Sequence, residues 1–450
     1  MSQQALTHEA AARALAQRLA VAVLDDWADR AGRAAARRPG GLAARSTGAG
    51  PPAADHPGDP GIPVLAHSVA SGGDRRAAAV AARAAAVWAR GAGRGPGHRG
   101  LYDGGLAGTL VGLRHCAALH PALHPVADRL RDRLLDHPAR PPADGAVRPG
   151  ARGRRMDVHE RYGAVTFPDY DLILGPSGVL LALTADGHGP SGTPEEAEHG
   201  AGARAAYAAR ALRLAALCDS PGLPGLRTSY CGHPLLGWLH GRINTGMGHG
   251  VAGVTAALSA AVRELGPRPE LTAALGHTTR WLMRESFDDA RDIRTWAGCG
   301  LEGAARPPGA HARQAWCYGT PGVAWALWDA ADTLGDPVGA AWAAAAFRTL
   351  VDGYHEGFHL FGDHPGDRLG LCHGAAGVLA VADAVSRHGR VPAAAELRER
   401  MLAHFLAHEQ ELTALAEERC GLLGGASGAL AAVLTATGGD RTWLPCLGLR

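Results

Sequence analysis

The string G-x-x-G, followed at once by an apolar, alanine-rich run, occurs six times and constrains this chain more than any other feature. It stands at Gly105 to Gly108, Gly175 to Gly178, Gly250 to Gly253, Gly319 to Gly322, Gly374 to Gly377 and Gly425 to Gly428. The closing glycines are 70, 75, 69, 55 and 51 residues apart, which suits two helices and their loops per repeat, with insertions in the early units. Glycine permits positive φ and lets two backbones approach closely. The runs that follow, such as residues 179–183 and 378–382, are apolar almost all round, so they predict helices buried on several sides. Intervening segments such as 201–217 and 393–408 are amphipathic and read as outer helices with one wet face. The expected fold is therefore all-α: an α/α toroid, a six-hairpin barrel with inner and outer helix rings. An open helical solenoid is the alternative. Closure is favoured because a solenoid needs polar end caps, and the sixth repeat runs almost to the last residue.

Composition agrees with one large packed unit over residues 1–450. Hydrophobic residues make up 46% and charged residues 20%, a soluble globular balance. The 63 glycines are about twice the usual share. Two segments, 37–65 and 137–168, look irregular, and 221–244 is punctuated by Gly and Pro. A formal charge of +2 offers no general pull on nucleic acid. Eight scattered cysteines do not make a disulfide framework. The start, MSQQALTHEAA, has a charged helical pattern and not that of a signal peptide. With no apolar run of about 18 residues, the expected setting is cytoplasmic and reducing.

Two of the glycine loops carry thiols. One reads Trp316-Cys317-Tyr318-Gly319, the other Leu371-Cys372-His373-Gly374. Two thiolates and an imidazole are donors that Zn2+ accepts, and three protein ligands leave a fourth position for chemistry. Amides at helix N-termini would favour the thiolates. The alternative is two buried structural cysteines and a loop histidine. The other cysteines have no comparable context, and Cys420, before the sixth loop, reads as core or spare.

The strings WCYGTPG (316–322), CHGAAG (372–377), NTGMGHGVAG (244–253) and YDLILGPSG (170–178) together resemble the lanthionine synthetase C family, in particular its stand-alone lanthipeptide cyclases. Their order and spacing agree with that family over roughly residues 100–433. The resemblance implies an α/α toroid and a zinc-dependent reaction. In it, a cysteine thiol of a precursor peptide adds to dehydroalanine or dehydrobutyrine, giving a lanthionine or methyllanthionine thioether. It implies Cys317, Cys372 and His373 as zinc ligands, with the substrate sulfur at the fourth position. It also implies His249 as acid/base, Asp171 to orient it or pair with a cation, and Arg313 to stabilise the enolate oxygen or hold Asp171. Tyr318 is a further candidate donor to that oxygen, and Trp316 a cavity wall. The implied partners are a dehydrated precursor peptide, a separate dehydratase and a membrane-associated biosynthetic complex.

Two rivals belong to other classes. Six-hairpin toroids also carry glycoside hydrolases, which need two facing carboxylates. Asp103 and Asp363 can be nominated here, but neither has a distinctive partner in sequence. A zinc-bearing thiol- or glutathione-binding protein would keep the cysteines and His373, whereas His249, Asp171 and Arg313 argue for catalysis. His355, His359 and His364, before the second cysteine loop, read as surface or channel residues.

Overall fold

The computed structural model describes residues 3–36, 56–94, 97–136, 165–184 and 194–450. Fourteen helices of the described chain build two concentric rings. The even-numbered ones are inner: α2 (Gly61–Ala70), α4 (Leu106–Leu119), α6 (Pro176–Thr184), α8 (Val251–Leu265), α10 (Thr320–Leu334), α12 (Ala375–Ala384) and α14 (Ala426–Ala436). The odd-numbered ones back them from outside: α1 (Gln3–Ala36), α3 (Arg75–Gly91), α5 (His124–Asp136), α7 (Pro194–Ala216), α9 (Pro269–Arg284), α11 (Pro337–Gly353) and α13 (Pro392–Ala407). Each inner helix packs on the next, and α14 packs on α2, so the ring is closed. The only strands among the described residues are the two-residue pair Phe287–Asp288 and Arg294–Thr295.

The α/α toroid and its two rings are as expected, and the ring holds a seventh hairpin beyond the six glycine loops read from sequence. Its inner helix, α2, starts inside the segment 37–65, whose residues 37–55 lie outside the described chain. Of the second segment expected to be irregular, 137–164 likewise lies outside; Phe167–Tyr170 is a short helix.

The same local device starts six inner helices. A Cβ on the closing glycine (Gly108, Gly178, Gly253, Gly322, Gly377, Gly428) would overlap a carbonyl oxygen six or seven residues earlier: Leu101, Leu172, Met247, Trp316, Leu371 and Leu422 respectively. The loop therefore folds back onto the first turn of its own helix, and only glycine leaves room. Gly319 adds a positive φ of 85° at the N-cap of α10.

Successive loops are then tied to each other through their backbones. Leu101 N–H donates to Ile173 O (3.0 Å), Leu172 to Gly248 (3.1 Å), Met247 to Cys317 (2.8 Å), Cys317 to Cys372 (3.3 Å) and Cys372 to Leu423 (2.9 Å). Leu422 N–H passes the chain of bonds to the Asp59 carboxylate at 2.9 Å, which closes it at α2. These bonds gather the inner-helix N-termini at one mouth of the toroid.

The bore below the mouth is filled by residues 443–450. Trp316 Nε1 donates to Leu447 O (2.9 Å), Trp325 Nε1 to Gly448 O (2.7 Å) and Tyr102 Oη to Cys446 O (2.6 Å). Buried indole and phenol groups need such acceptors. Trp316 is thus fully buried in the bore and is not the cavity wall expected from sequence.

Candidate active site at the glycine-loop mouth

The loop geometry decides which side chains meet. Counting back from the last five closing glycines, the fifth residue is Ile173, Gly248, Cys317, Cys372 or Leu423, and the fourth is Leu174, His249, Tyr318, His373 or Gly424. These are the residues that the ring of backbone bonds brings side by side. Cys317 and Cys372 share one position, and His249, Tyr318 and His373 the next, in consecutive repeats, so they meet at one mouth by construction.

Cys317, Cys372 and His373 offer ligand atoms that all lie within 4.8 Å of one another. Cys317 is buried; Cys372 and His373 are half-buried. The hydrogen bond from Cys317 holds the Cys372 thiol well below an ordinary thiol, helped by His373, while burial pushes Cys317 up. The His373 imidazole is raised in turn, chiefly by its hydrogen bond with Cys372. The Asp367 carboxylate lies 3.7 Å from His373 Nδ1, the kind of outer partner that orients a ligating imidazole. Two soft thiols, one favoured as thiolate, and an oriented imidazole fit a zinc ion.

Beside them stands a histidine–aspartate pair. His249 Nδ1 is 2.6 Å from Asp171 Oδ2. The other oxygen of Asp171 accepts the amides of Leu174 (2.7 Å) and Gly175 (2.8 Å). Asp171 is fully buried, and burial raises its carboxyl above the usual range against the pull of His249 and those amides. A buried carboxylate on Nδ1 fixes the tautomer that leaves Nε2 for chemistry. The His249 ring also stacks on Phe167, with centroids 4.3 Å apart, and its backbone carbonyl accepts the Tyr170 hydroxyl at 2.8 Å.

Arg313 does not pair with Asp171, the alternative left open by the sequence. That carboxylate is already taken up by His249 and two amides. The guanidinium instead lies over the Phe361 ring at 4.0 Å. It is close enough to the ligand cluster to lower both the Cys317 thiol and the His373 imidazole electrostatically. Its Nη1 is buried without a hydrogen-bond partner. Tyr318 accepts a hydrogen bond from Asn244 Nδ2 at 2.7 Å, and burial raises its hydroxyl far above the ordinary value.

Phe167, Tyr170, Asn244, Trp238 and Phe361 support this site without having been singled out by sequence. Asn244 opens the NTGMGHG string, and Phe167 and Tyr170 come from the short helix just before Asp171, so proximity to motif residues was the available signal. Trp238, half exposed, stands 3.0 Å from where a Cβ on Gly298 would lie, beside the Tyr318 ring; nothing local in sequence marks it. Of the three neighbouring histidines, His359 is fully buried and is not a surface or channel residue. His364 instead caps the helix Pro365–Leu369 by accepting from Gly366 N–H. Asp103 and Asp363 are both exposed.

Residues 227–447 match the family model described as lanthionine synthetase C-like protein. Among solved structures, that of a nisin cyclase superposes with a TM-score of 0.66, covering 96% of each chain at 18% sequence identity. No curated protein matches the sequence significantly. The paired cysteine loops and the histidine loop at 244–253 all fall inside the matched stretch, and over that stretch the chain is similar to the lanthionine synthetase C-like family.

Proposed function

We propose that this chain is a zinc-dependent lanthipeptide cyclase, acting as one domain over residues 1–450. It would close (methyl)lanthionine rings by adding peptide cysteine thiols to dehydroalanine or dehydrobutyrine. One observation carries the reading: a two-thiol, one-imidazole cluster shares a loop mouth with a histidine locked to a buried carboxylate. The structural likeness to a nisin cyclase agrees with it.

Cys317, Cys372 and His373 would hold the zinc. Once bound there, the ion supplies a Lewis acid that lowers the pKa of a thiol brought to it. The chain's own residues account for the proton. Addition of sulfur to the β carbon leaves an enolate whose α carbon needs a proton. His249 presents Nε2 for that transfer, with Asp171 holding Nδ1–H and stabilising the charged ring. The Arg313 guanidinium, with one nitrogen unpaired, and the Tyr318 hydroxyl offer donors to the enolate oxygen. Phe167 fixes the plane of the imidazole.

The proposed substrate is a dehydrated precursor peptide, so a separate dehydratase must act first on serine and threonine. A cytoplasmic location and a membrane-associated biosynthetic complex belong to the same reading. The test is incubation of the chain with a dehydrated Ser/Thr/Cys peptide, with and without zinc. Zinc-dependent loss of free thiols at constant mass supports cyclisation. Tight thiol or glutathione binding with no ring formation would leave the family's non-cyclising role instead.

A further inference from the structure

A second group of metal-binding side chains lies away from the mouth. His67 of α2 and His115 of α4 face each other with their Nδ1 atoms 2.8 Å apart, and Asp440, just past α14, brings Oδ2 to 3.9 Å from His67 Nδ1. The three ligand atoms lie within 4.8 Å of one another. Counting from Gly61 and Gly108, the histidines sit six and seven residues into their inner helices. At about 1.5 Å per residue that is roughly 10 Å down the barrel from the glycine loops. The cluster is therefore separate from Cys317, Cys372 and His373.

The surroundings suit an ion. His115 is buried, and the His67 and Asp440 side chains are 21% and 12% exposed. Among the described residues no arginine or lysine pairs with Asp440. Its Oδ2 accepts only a short-range bond from Thr442 Oγ1 at 2.8 Å. Two guanidiniums of the same region are engaged elsewhere: Arg13 on the Thr437 carbonyl, Arg441 on Asp383. Two nearly facing imidazole nitrogens can share one proton at most. Metal–ligand bonds of about 2.0–2.2 Å span donors roughly 3–3.5 Å apart, close to the separations present. Two imidazoles and one carboxylate are a donor set for zinc-class divalent ions.

The position adds a purpose. α14 and α2 are the last and first inner helices of the described ring, and α4 follows α2. We propose that His67, His115 and Asp440 bind a second divalent first-row ion of the zinc class, which fastens the seam where the toroid closes.

The test uses the full chain carrying Cys317→Ala and Cys372→Ala, made metal-free and titrated with Co2+ alone. One equivalent bound, with visible d–d absorption but no thiolate-to-cobalt charge-transfer band, is the expected result. Its affinity should fall at least tenfold on adding His67→Ala, and the rise in thermal midpoint produced by Co2+ should disappear. A folded thiol-free chain that binds no Co2+, or binds it equally with His67→Ala, overturns the proposal and leaves a plain imidazole hydrogen bond. Should the cysteine variant fail to fold, zinc stoichiometry of the wild-type chain decides: His67→Ala must remove one equivalent, and no loss overturns the proposal. Because neither readout involves cyclisation, the outcome is independent of the proposed activity.

Discussion

The side chain with most leverage at the mouth is Asp171. It is buried, sits 2.6 Å from His249 Nδ1, and accepts two amides that shape the loop before α6. Asp171→Asn keeps an acceptor for those amides but removes the charge that stabilises a protonated His249. Its expected effect is a fall in turnover of about 10²- to 10⁴-fold with little change in bound zinc. Unchanged turnover, measured by mass-neutral thiol loss, would remove Asp171 and His249 from the chemistry. Cys372 behaves differently. The bonds that tie its loop into the ring are backbone ones, donating to Leu423 and accepting from Cys317, and alanine keeps them, so Cys372→Ala should fold normally by circular dichroism. It should lose mouth-bound metal by elemental analysis together with all cyclisation, and full zinc retention would refute its role as a ligand. Tyr318→Phe strands the Asn244 amide nitrogen that now donates to the hydroxyl. A stability loss of about 1–3 kcal/mol is expected from that group alone, so a kinetic defect counts as catalytic only when it exceeds the drop in folded fraction seen by denaturant titration.

At the scale of elements, the glycine loops join chemistry to architecture. A Cβ on Gly377 would overlap the Leu371 carbonyl oxygen and lie 2.8 Å from Trp316 Cβ. Gly377→Ala must therefore push the Cys372 loop away from the Cys317 loop. The expected outcome is a marked stability loss together with weaker zinc binding, whereas alanine at exposed Gly202, with open space around it, should lower neither. Equal melting temperatures for wild type and Gly377→Ala would show that the loop is not locked as described. This coupling explains why so much could be read from the amino-acid string. Where glycine is needed to clear a carbonyl, the pattern repeats visibly, and the reactive side chains fall at fixed offsets from it. The seventh hairpin escaped for a physical reason. Its loop, Gly58-Asp59-Pro60-Gly61, has the same glycine spacing, but it sits in a Pro- and Gly-rich stretch that reads as irregular. Its contacts also differ: a Cβ on Gly61 would meet the Cys420 carbonyl and the Leu422 amide of the neighbouring loop, not its own first turn. The Arg313–Phe361 stack, the Phe167–His249 stack and the filling of the bore by residues 443–450 join positions whose separation follows no local period, so only the folded ring reveals them.

Taken whole, the toroid gathers its candidate site at one mouth. No described helix is long and apolar enough to cross a membrane. Part of its stability should depend on pH, because buried histidines outside the ligand cluster are held neutral, His359 and His404 among them. His359 is buried, stacks on Tyr354 and has Nε2 without a partner. Burial, with Arg291 nearby, brings its pKa down to about 4. His404 on α13 is likewise lowered to about 4 by burial and by His408, stacked on it with ring centroids 3.9 Å apart. Above pH 6.5 both are neutral whether folded or unfolded, so they have no pH effect there. Between about 6.5 and 4 the unfolded chain takes up protons that the folded chain refuses, and stability falls as pH falls; the loss levels off once the folded histidines titrate. Glu356 and Glu411 have lowered pKa values, through Arg400 and Arg368 respectively, so their contributions are lost at still lower pH. Thermal midpoints of the metal-free chain should therefore decline steadily from pH 6.5 to 4. The His359→Gln, His404→Gln double variant should show a flatter profile over that window and a similar one below it, and a variant profile parallel to wild type throughout would place the acid sensitivity elsewhere.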